Sequence, residues 1–167
     1  MKKENVKLNN AAVSKVVVSV GLGKMRQTNA QFEDKVLPEI MKEFAAITGQ
    51  KPAIRKAKKS IAGFKVRQNE VVGIFATLRG KRKDDFLIKL TNVVLPRLRD
   101  FRGISAAHLD GAGNLNIGFK DQTVFPEINP EASKWNFGLE VSIVSTIKDH
   151  EEAIDFYRQI GIPLTVA

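Results

Sequence analysis

The sequence predicts an α+β fold in a single domain, residues 1–167, in which helices pack on one face of a mostly antiparallel sheet and the other face stays free. Residues 12–22 are rich in β-branched side chains, which is typical of a buried strand. Residues 29–49 carry apolar side chains every three or four positions, which indicates a helix. Residues 139–147 alternate between apolar and polar side chains, as in a half-buried strand.

The first predicted helix begins at a cap on Asn29 or Thr28 and ends at Gly49. Its apolar positions are Phe32, Val36, Leu37, Ile40, Met41, Phe44 and Ile47. Pro38 has no backbone N–H to donate. It therefore either kinks this helix or lies in the first turn of a shorter one.

Short extended segments are predicted over 53–55, 64–68 and 73–79, and 69–72 would join the last two as a hairpin. Phe75 alternates with the apolar residues of its strand. It could stack on a nucleic-acid base or pack against the fold, and packing is the more common role.

The remaining elements follow the same signals. A second helix is predicted over 83–95, and residues 97–114 form a loop or irregular turns. A strand is predicted over 115–119, and a last helix runs over 149–160 and stops at Gly161.

The positive charge of the chain is concentrated in one basic segment, residues 51–82. The chain has a net charge of +9 and a pI near 9.9, and this segment holds ten basic residues against one acidic residue, Glu70. The rest of the chain carries equal numbers of both signs. A short charge run is usually a solvated face, but this concentration favours a polyanionic partner, with nucleic acid ahead of an anionic membrane surface. A free sheet face beside a basic hairpin can present a platform to RNA.

Several classes of protein are excluded or disfavoured by composition. The chain has no cysteine, which excludes disulfides, thiolate zinc sites and cysteine nucleophiles. Residues 1–10 lack the apolar run of a secretory signal, and apolar stretches such as 16–20 are far short of the ~20 residues that span a bilayer. We therefore expect an intracellular protein with no membrane partner, and we expect residues 1–11 to be flexible.

A search for reactive groups finds no convincing site. The segment 21–24, GLGK, follows the first strand but lacks the rest of a phosphate-binding loop, so a tight turn is the simpler interpretation. His108 and His150 are far apart and have no second ligand at a recognised metal spacing. We predict no catalytic residue, no metal, no cofactor and no small-molecule substrate.

Six blocks of sequence are similar to those of one protein family and occur in the family's order. They are TGQKP at 48–52, KAKKSIAGFKVR at 56–67, ATLRG at 76–80, LPRLRDFRG at 95–103, DG with GN at 110–114, and VFPEI at 124–128. Together they resemble the ribosomal protein L-five family, in particular its bacterial and organellar branch.

The resemblance implies a non-enzymatic, cytoplasmic constituent of the large ribosomal subunit in the central protuberance. The implied partners are 5S rRNA, 23S rRNA, P-site tRNA, small-subunit protein S-thirteen and neighbouring 5S-binding ribosomal proteins. A free nucleic-acid chaperone or DNA/RNA-binding regulator is the alternative, because the same basic segment would serve it. An enzyme acting on RNA, using Asp110 or His108, ranks third.

The resemblance also assigns residues to partners. Polar contacts with 5S rRNA are implied for Ser19, Gln50 and Thr77, although the family typically has Asn in place of Ser19, and a hydroxyl lacks the second donor of an amide. Basic contacts with 5S rRNA are expected at Lys51, Arg55, Lys56, Lys58, Lys59, Arg79 and Arg82.

Two loops are assigned in the same way. The tRNA-contacting loop would be 65–74, through Lys65, Arg67, Gln68, Asn69, Val71, Val72 and Gly73. Its tip departs from the family, which commonly has a Gly and a Pro there, whereas this chain has Asn69 and Val71 with the acidic Glu70 between them. The loop 110–122 is expected to face the small subunit, through Asp110, Gly111, Gly113 and Asn114. The extra N-terminal helix of bacterial members is expected to be missing or vestigial.

Overall fold

The computed structural model describes residues 12–99 and 101–165. The expectations about residues 1–11 therefore lie outside the described part of the chain. The described residues form two compact units. One contains residues up to Val16, Arg79–Ile117 and the chain from Ser142 onward, and the other contains Val17–Leu78 and Gly118–Val141.

The strands form one five-stranded sheet and one two-stranded parallel sheet. They are β1 (Val13–Gly21), β2 (Ala53–Lys56), β3 (Val71–Leu78), β4 (Ile104–Ser105), β5 (Leu115–Phe119), β6 (Leu139–Ser145) and β7 (Leu164–Thr165). The larger sheet has the order β2-β3-β1-β6-β5, and β4 pairs with β7.

Five α-helices complete the described elements. They are α1 (Gly23–Thr28), α2 (Leu37–Thr48), α3 (Gly80–Lys89), α4 (Leu95–Arg97) and α5 (His150–Gln159). π-Helical turns over Phe32–Val36 and Leu90–Val94 lead into α2 and α4, and short 3-10 turns cover Ala62–Phe64, Ala106–His108 and Gln122–Val124. None of the described helices combines the length and the apolar character that crossing a membrane requires.

The strands confirm the predicted α+β class and its two-sided sheet. On one side of the strands the side chains are fully buried, for example Val18, Leu78 and Val141. The alternate residues Ser19 and Thr77 are half-buried. This alternation gives one buried face and one half-buried face, on which Val17 and Phe75 lie beside the polar residues.

The first helix resolves the alternatives that Pro38 left open. Pro38 lies in the first turn of α2, directly after the π-helical turn over Phe32–Val36. Gly49 ends the helix with a left-handed φ of 65°, and its N–H donates to Ala45 O at 2.8 Å. The α-helix is therefore shorter than predicted, and its apolar pattern begins in the π-helical turn that precedes it.

The predicted strand over 64–68 is wrong. Those residues form the end of a 3-10 turn and a single bridge between Val66 and Ile61, whereas β2 pairs with β3 directly. Phe64 and Val66 alternate with polar residues as in a strand, but they lie in a loop. β3 already occupies the position beside β2 that such a strand would need.

Three other boundaries differ from the predictions. The tight turn predicted over 21–24 is a one-residue connection, Leu22, but it leads into a helix, α1, that was not predicted. The second helix begins at Gly80, earlier than predicted. The predicted loop 97–114 contains β4, whose partner β7 is at the other end of the sequence. Such a distant partner leaves no local pattern in the sequence.

Candidate nucleic-acid interface

The strand β2 forms one end of the sheet, and all four of its residues are exposed. It pairs antiparallel with β3, with Ala53 opposite Phe75 and Arg55 opposite Gly73. The Arg55 guanidinium carbon lies 4.2 Å from the centroid of the Phe75 ring. A cation over an aromatic face is an attractive arrangement that holds the arginine at the strand surface. Phe75 therefore supports a charged group rather than packing only with apolar ones.

A polar pair lies beside this strand pair. Gln50 directly follows the glycine that ends α2, and its Nε2 donates to the Thr77 backbone oxygen at 3.5 Å. The Thr48 hydroxyl donates to Gln50 O at 3.0 Å and fixes the chain at this point. The structure thus brings Gln50 and Thr77 together, as two of the three predicted polar contacts. Ser19 is half-buried on β1.

The predicted basic contacts of this unit lie at the surface. All of them are exposed: Lys51, Arg55, Lys56, Lys58 and Lys59. The exposed lysine ammonium groups keep their hydration and their mobility, so they suit the backbone of a polyanion more than an internal ion pair.

The two strands are joined by a long basic loop, residues 57–70, which has defined internal structure. At its base, Ala57 N donates to Glu70 O at 2.8 Å and Asn69 N donates to Ala57 O at 2.9 Å. Nearer the tip, Ile61 N donates to Val66 O at 2.9 Å. Lys65 and Asn69 adopt left-handed φ values of 49° and 70°, which turn the chain back. The basic loop is therefore a folded excursion and not an open linker.

Glu70, the one acid of the basic segment, is neutralised by an arginine from α1. Its carboxylate pairs with the Arg26 guanidinium from α1 and accepts the Arg67 N–H at 2.5 Å. The Arg67 backbone hydrogen bond, followed by the Arg26 side chain, lowers the pKa of Glu70. The acid at this position is thus a local brace, and it does not leave a free negative charge on the loop.

Part of the loop that was predicted to contact tRNA, residues 65–74, is strand in the structure. Val71, Val72 and Gly73 lie in β3, with Val71 only 5% exposed. A Cβ on Gly73 would lie 2.7 Å from Val20 O, so glycine is needed there for close strand packing.

The tip of the loop lies instead around Ile61 to Lys65. Phe64 is 69% exposed and Ile61 is 51% exposed. Sequence analysis missed both as surface residues, since apolar residues between basic ones carry no signal that distinguishes a loop tip from a strand.

Arg79 and Arg82 belong to the other compact unit. Arg79 directly precedes α3, and Gly80, the first residue of that helix, has a φ of 55°. Both arginines are exposed, whereas the neighbouring Lys83 is buried and its Nζ donates to Val13 O at 2.6 Å. Lys83 therefore has a structural role that its place beside the basic segment does not reveal.

The turn over residues 110–114 is held together by its own polar groups. Asp110 Oδ1 accepts from Ala112 N at 2.9 Å and Asn114 N at 2.8 Å, and Oδ2 accepts from Asn114 Nδ2 at 2.8 Å. The Asn114 side chain is the main cause that lowers the pKa of Asp110. With both oxygens accepting, Asp110 is a poor candidate for a general base.

This turn is also fixed from outside. Gly113 has a φ of 75°, and a Cβ there would overlap Ile147 O. The buried Tyr157 hydroxyl donates to Gly113 O at 3.0 Å, with Ile143 O at 3.3 Å as a second acceptor. Burial raises the pKa of Tyr157, so the hydroxyl remains a donor. Of the four residues predicted to face the small subunit, three thus form the scaffold of the turn and Gly111 is at its exposed apex.

Two family models and several relatives match this chain. Residues 8–67 match the family model described as Ribosomal protein L5, and residues 71–164 match the model of the C-terminus of the same ribosomal protein family. Large ribosomal subunit protein uL5 of Halothermothrix orenii is 44% identical over 151 residues, which cover 90% of this chain and 82% of the relative. The uL5c protein of Gracilaria tenuistipitata var. liui is 47% identical over 149 residues (89% and 80%). The uL5 protein of Acaryochloris marina is 43% identical over 165 residues (96% and 88%). The chain belongs to the uL5 family of large ribosomal subunit proteins.

Proposed function

We propose that this protein binds 5S rRNA through the exposed β2–β3 strand pair and the basic loop. Membership of the uL5 family makes the chain a non-enzymatic, cytoplasmic component of the large ribosomal subunit, so rRNA is its expected class of partner. The observation that carries the proposal is the exposed edge of the sheet, where Arg55 lies over Phe75 beside the Gln50–Thr77 pair. This edge combines cations, an aromatic ring and polar groups on a single surface.

The two kinds of group have different tasks in this proposal. Lys56, Lys58 and Lys59 neutralise phosphates, which releases condensed cations and makes the affinity depend on salt. Gln50 and Thr77 supply directional contacts to 2′-hydroxyls and base edges in the wide minor groove of A-form RNA. Charge then provides most of the affinity, and the polar pair provides selectivity.

Family membership extends this proposal to three further partners: P-site tRNA, 23S rRNA and the small subunit. The chain from Lys65 onward contacts P-site tRNA, while other surfaces help to attach the 5S rRNA to 23S rRNA in the central protuberance. Arg79 and Arg82, at the start of α3, add backbone contacts with 5S rRNA. The turn over residues 110–114 bridges to small-subunit protein S-thirteen through its apex, because Asp110 and Asn114 are already bonded within the turn.

The test is a gel-shift titration of the purified protein against 5S rRNA, with tRNA and duplex DNA as competitors, at two salt concentrations. About five phosphate contacts predict a log–log salt slope of roughly −3.5 to −4.5. Changing Lys56, Lys58 and Lys59 together to Gln should weaken binding by about tenfold or more and reduce the slope by about 2 to 3.

A control with the same loss of charge is Lys35, Lys42 and Lys148 changed to Gln, since these lysines are exposed and lie outside the basic segment. It should bind 5S rRNA nearly as the unchanged protein does. Equal loss in both triple variants would show that only total charge matters. Equal binding of 5S rRNA, tRNA and duplex DNA would favour a general nucleic-acid chaperone.

A further inference from the structure

A cleft of about 750 Å³ lies between α1 and the basic loop. Its apolar wall is formed by Ile61, Phe64 and Val66 of the loop and by Val72 of β3. Val72 is the additional residue of a β-bulge, since Arg55 pairs with Gly73 and the next residue of β2 pairs with Val71. The bulge thus helps to build this wall. A cleft of this size is in the range that holds a small planar group.

The apolar wall remains largely open to solvent. Phe64 and Ile61 are two of the five large apolar side chains that are exposed in the described part of the chain, and Phe64 is the most exposed of them. Leaving an aromatic ring in water forgoes the free energy that its burial would contribute. Two such side chains at one tip, beside a cleft, indicate a surface that is covered by a partner.

The cleft is built before any partner arrives. The Gln27 side-chain amide of α1 donates to Phe64 O, so the backbone of the tip is fastened to the opposite wall. The ion pair between Arg26 and Glu70 fastens the base of the loop to the same helix. Because the tip and the base of the loop are both held, the Phe64 ring should lose little conformational entropy when a partner binds.

The rim of the cleft is cationic. Lys24, Lys58 and Lys59 line it, and all three are exposed. Among the described residues that line the cleft, none is acidic. An occupant must therefore offer a flat apolar group flanked by negative charge. Unpaired nucleotides have this chemistry, with a base that stacks and phosphates on either side. An acidic peptide with an aromatic residue fits the charge but lacks the regular spacing of phosphates.

We propose that this cleft holds one unpaired base of an RNA, stacked on Phe64, with the flanking phosphates near Lys24, Lys58 and Lys59. This inference rests on the proposed RNA-binding function and adds to it a subsite that binds one base of single-stranded RNA. Phe64 contacts the base, whereas Gln27 and Arg26 are positioning residues that act through the loop.

The test uses a short oligouridine with a single 2-aminopurine, and the same strand with an abasic site at that position. The unchanged protein should quench the 2-aminopurine fluorescence and bind the base-containing strand more tightly than the abasic one. Phe64→Ala should abolish the quenching and the preference, with a loss of about fivefold or more, since stacking on an aromatic ring accounts for at least that much. Its salt slope should stay unchanged because the lysines remain.

Two variants serve as controls. Phe64→Tyr keeps an aromatic ring and should retain both the quenching and the preference for the base. Ile88→Ala removes another exposed apolar side chain, 44% exposed on α3, and should change neither. The inference is overturned if the unchanged protein binds both strands equally, or if Phe64→Ala keeps the preference. Displacement of both strands by an acidic, aromatic peptide, with no preference between them, would also overturn it.

The 5S rRNA titration on the same samples separates this inference from the proposed function. Selective 5S rRNA binding without any preference for the base would remove the subsite alone. A preference for the base without selectivity for 5S rRNA would instead remove the proposed function and leave the subsite.

Discussion

The basic loop leaves its cations exposed, whereas the turn over residues 110–114 directs its polar side chains back onto its own backbone. Both segments carry residue types that suggest binding. In the basic loop, one acid, Glu70, is used as a brace and frees the lysines for a partner. In the turn, the Asp110 carboxylate accepts hydrogen bonds from the backbone and side chain of Asn114. Polar residues in a family motif can thus be contacts or scaffold, and only their bonding partners distinguish the two.

Among the variants that test this comparison, Gly113→Ala should have the largest effect on stability. The new Cβ would overlap Ile147 O, and the residue must hold a φ of 75°. We expect the free energy of unfolding to fall by about 2–5 kcal/mol, from left-handed strain together with overpacking, as measured by urea denaturation. Gly111→Ala, in the same turn, meets nothing within 4 Å and should stay within about 0.5 kcal/mol. Similar losses in both variants would mean that the turn is not a scaffold.

Tyr157→Phe should lower the free energy of unfolding by a smaller amount. The change removes the hydroxyl that donates to Gly113 O at 3.0 Å and leaves a buried acceptor without its donor. The expected cost is about 1–2 kcal/mol by thermal or urea unfolding. Affinity for 5S rRNA should not change, since this residue supports the turn and not the basic loop. A variant as stable as the unchanged protein would contradict the anchoring role.

The pH dependence of stability should reveal the contribution of the Asp110 carboxylate to the turn. Hydrogen bonds from Asn114 lower the pKa of Asp110 below its usual value of 3.8. The charged form is therefore favoured by folding, so its contribution is complete above the usual pKa and is lost as the pH falls through the lowered, folded-state pKa. Asp110→Asn should be less stable near neutral pH and should lose less stability on acidification below about pH 4. Parallel stability curves for the two proteins from neutral to acidic pH would rule this out.

The smallest effect on stability is expected from Glu70→Gln. Its ion pair with Arg26 lies near the surface, where such pairs contribute little to global stability. The basic loop should nevertheless loosen, which would appear as faster amide hydrogen exchange over residues 61–70. Asp155→Asn breaks another surface pair, with Arg158 on α5, and is the matched control. Unchanged exchange in the loop would show that Glu70 does not brace it.

Local signals in the sequence predicted some elements closely. The last helix was expected over 149–160 and is α5, with the Asp149 carboxylate accepting the N–H groups of Glu151 and Glu152 at 3.0 Å. The strand over 115–119 is β5. In both cases the cap or the alternation lies within the element itself, so no distant partner is needed to recognise it.

The misplaced features depend on contacts between distant residues. α1 has no buried residue and is only six residues long, so it has no apolar pattern to detect. Its two contacts with the basic loop, through Arg26 and Gln27, are tertiary. The positive charge of the interface was predictable from composition. The exposure of Phe64, the burial of Lys83 and the neutralisation of Glu70 were not, since each depends on which neighbours folding supplies.

The position of β2 at the end of the sheet has a consequence for the free protein before assembly. An exposed terminal strand is a template on which other chains can add strands and aggregate. Here the strand is only four residues long and carries Arg55 and Lys56. A second copy would bring the same positive charges to the same edge and be repelled. The positive charges of this short strand would thus oppose edge-to-edge pairing between copies of the free protein.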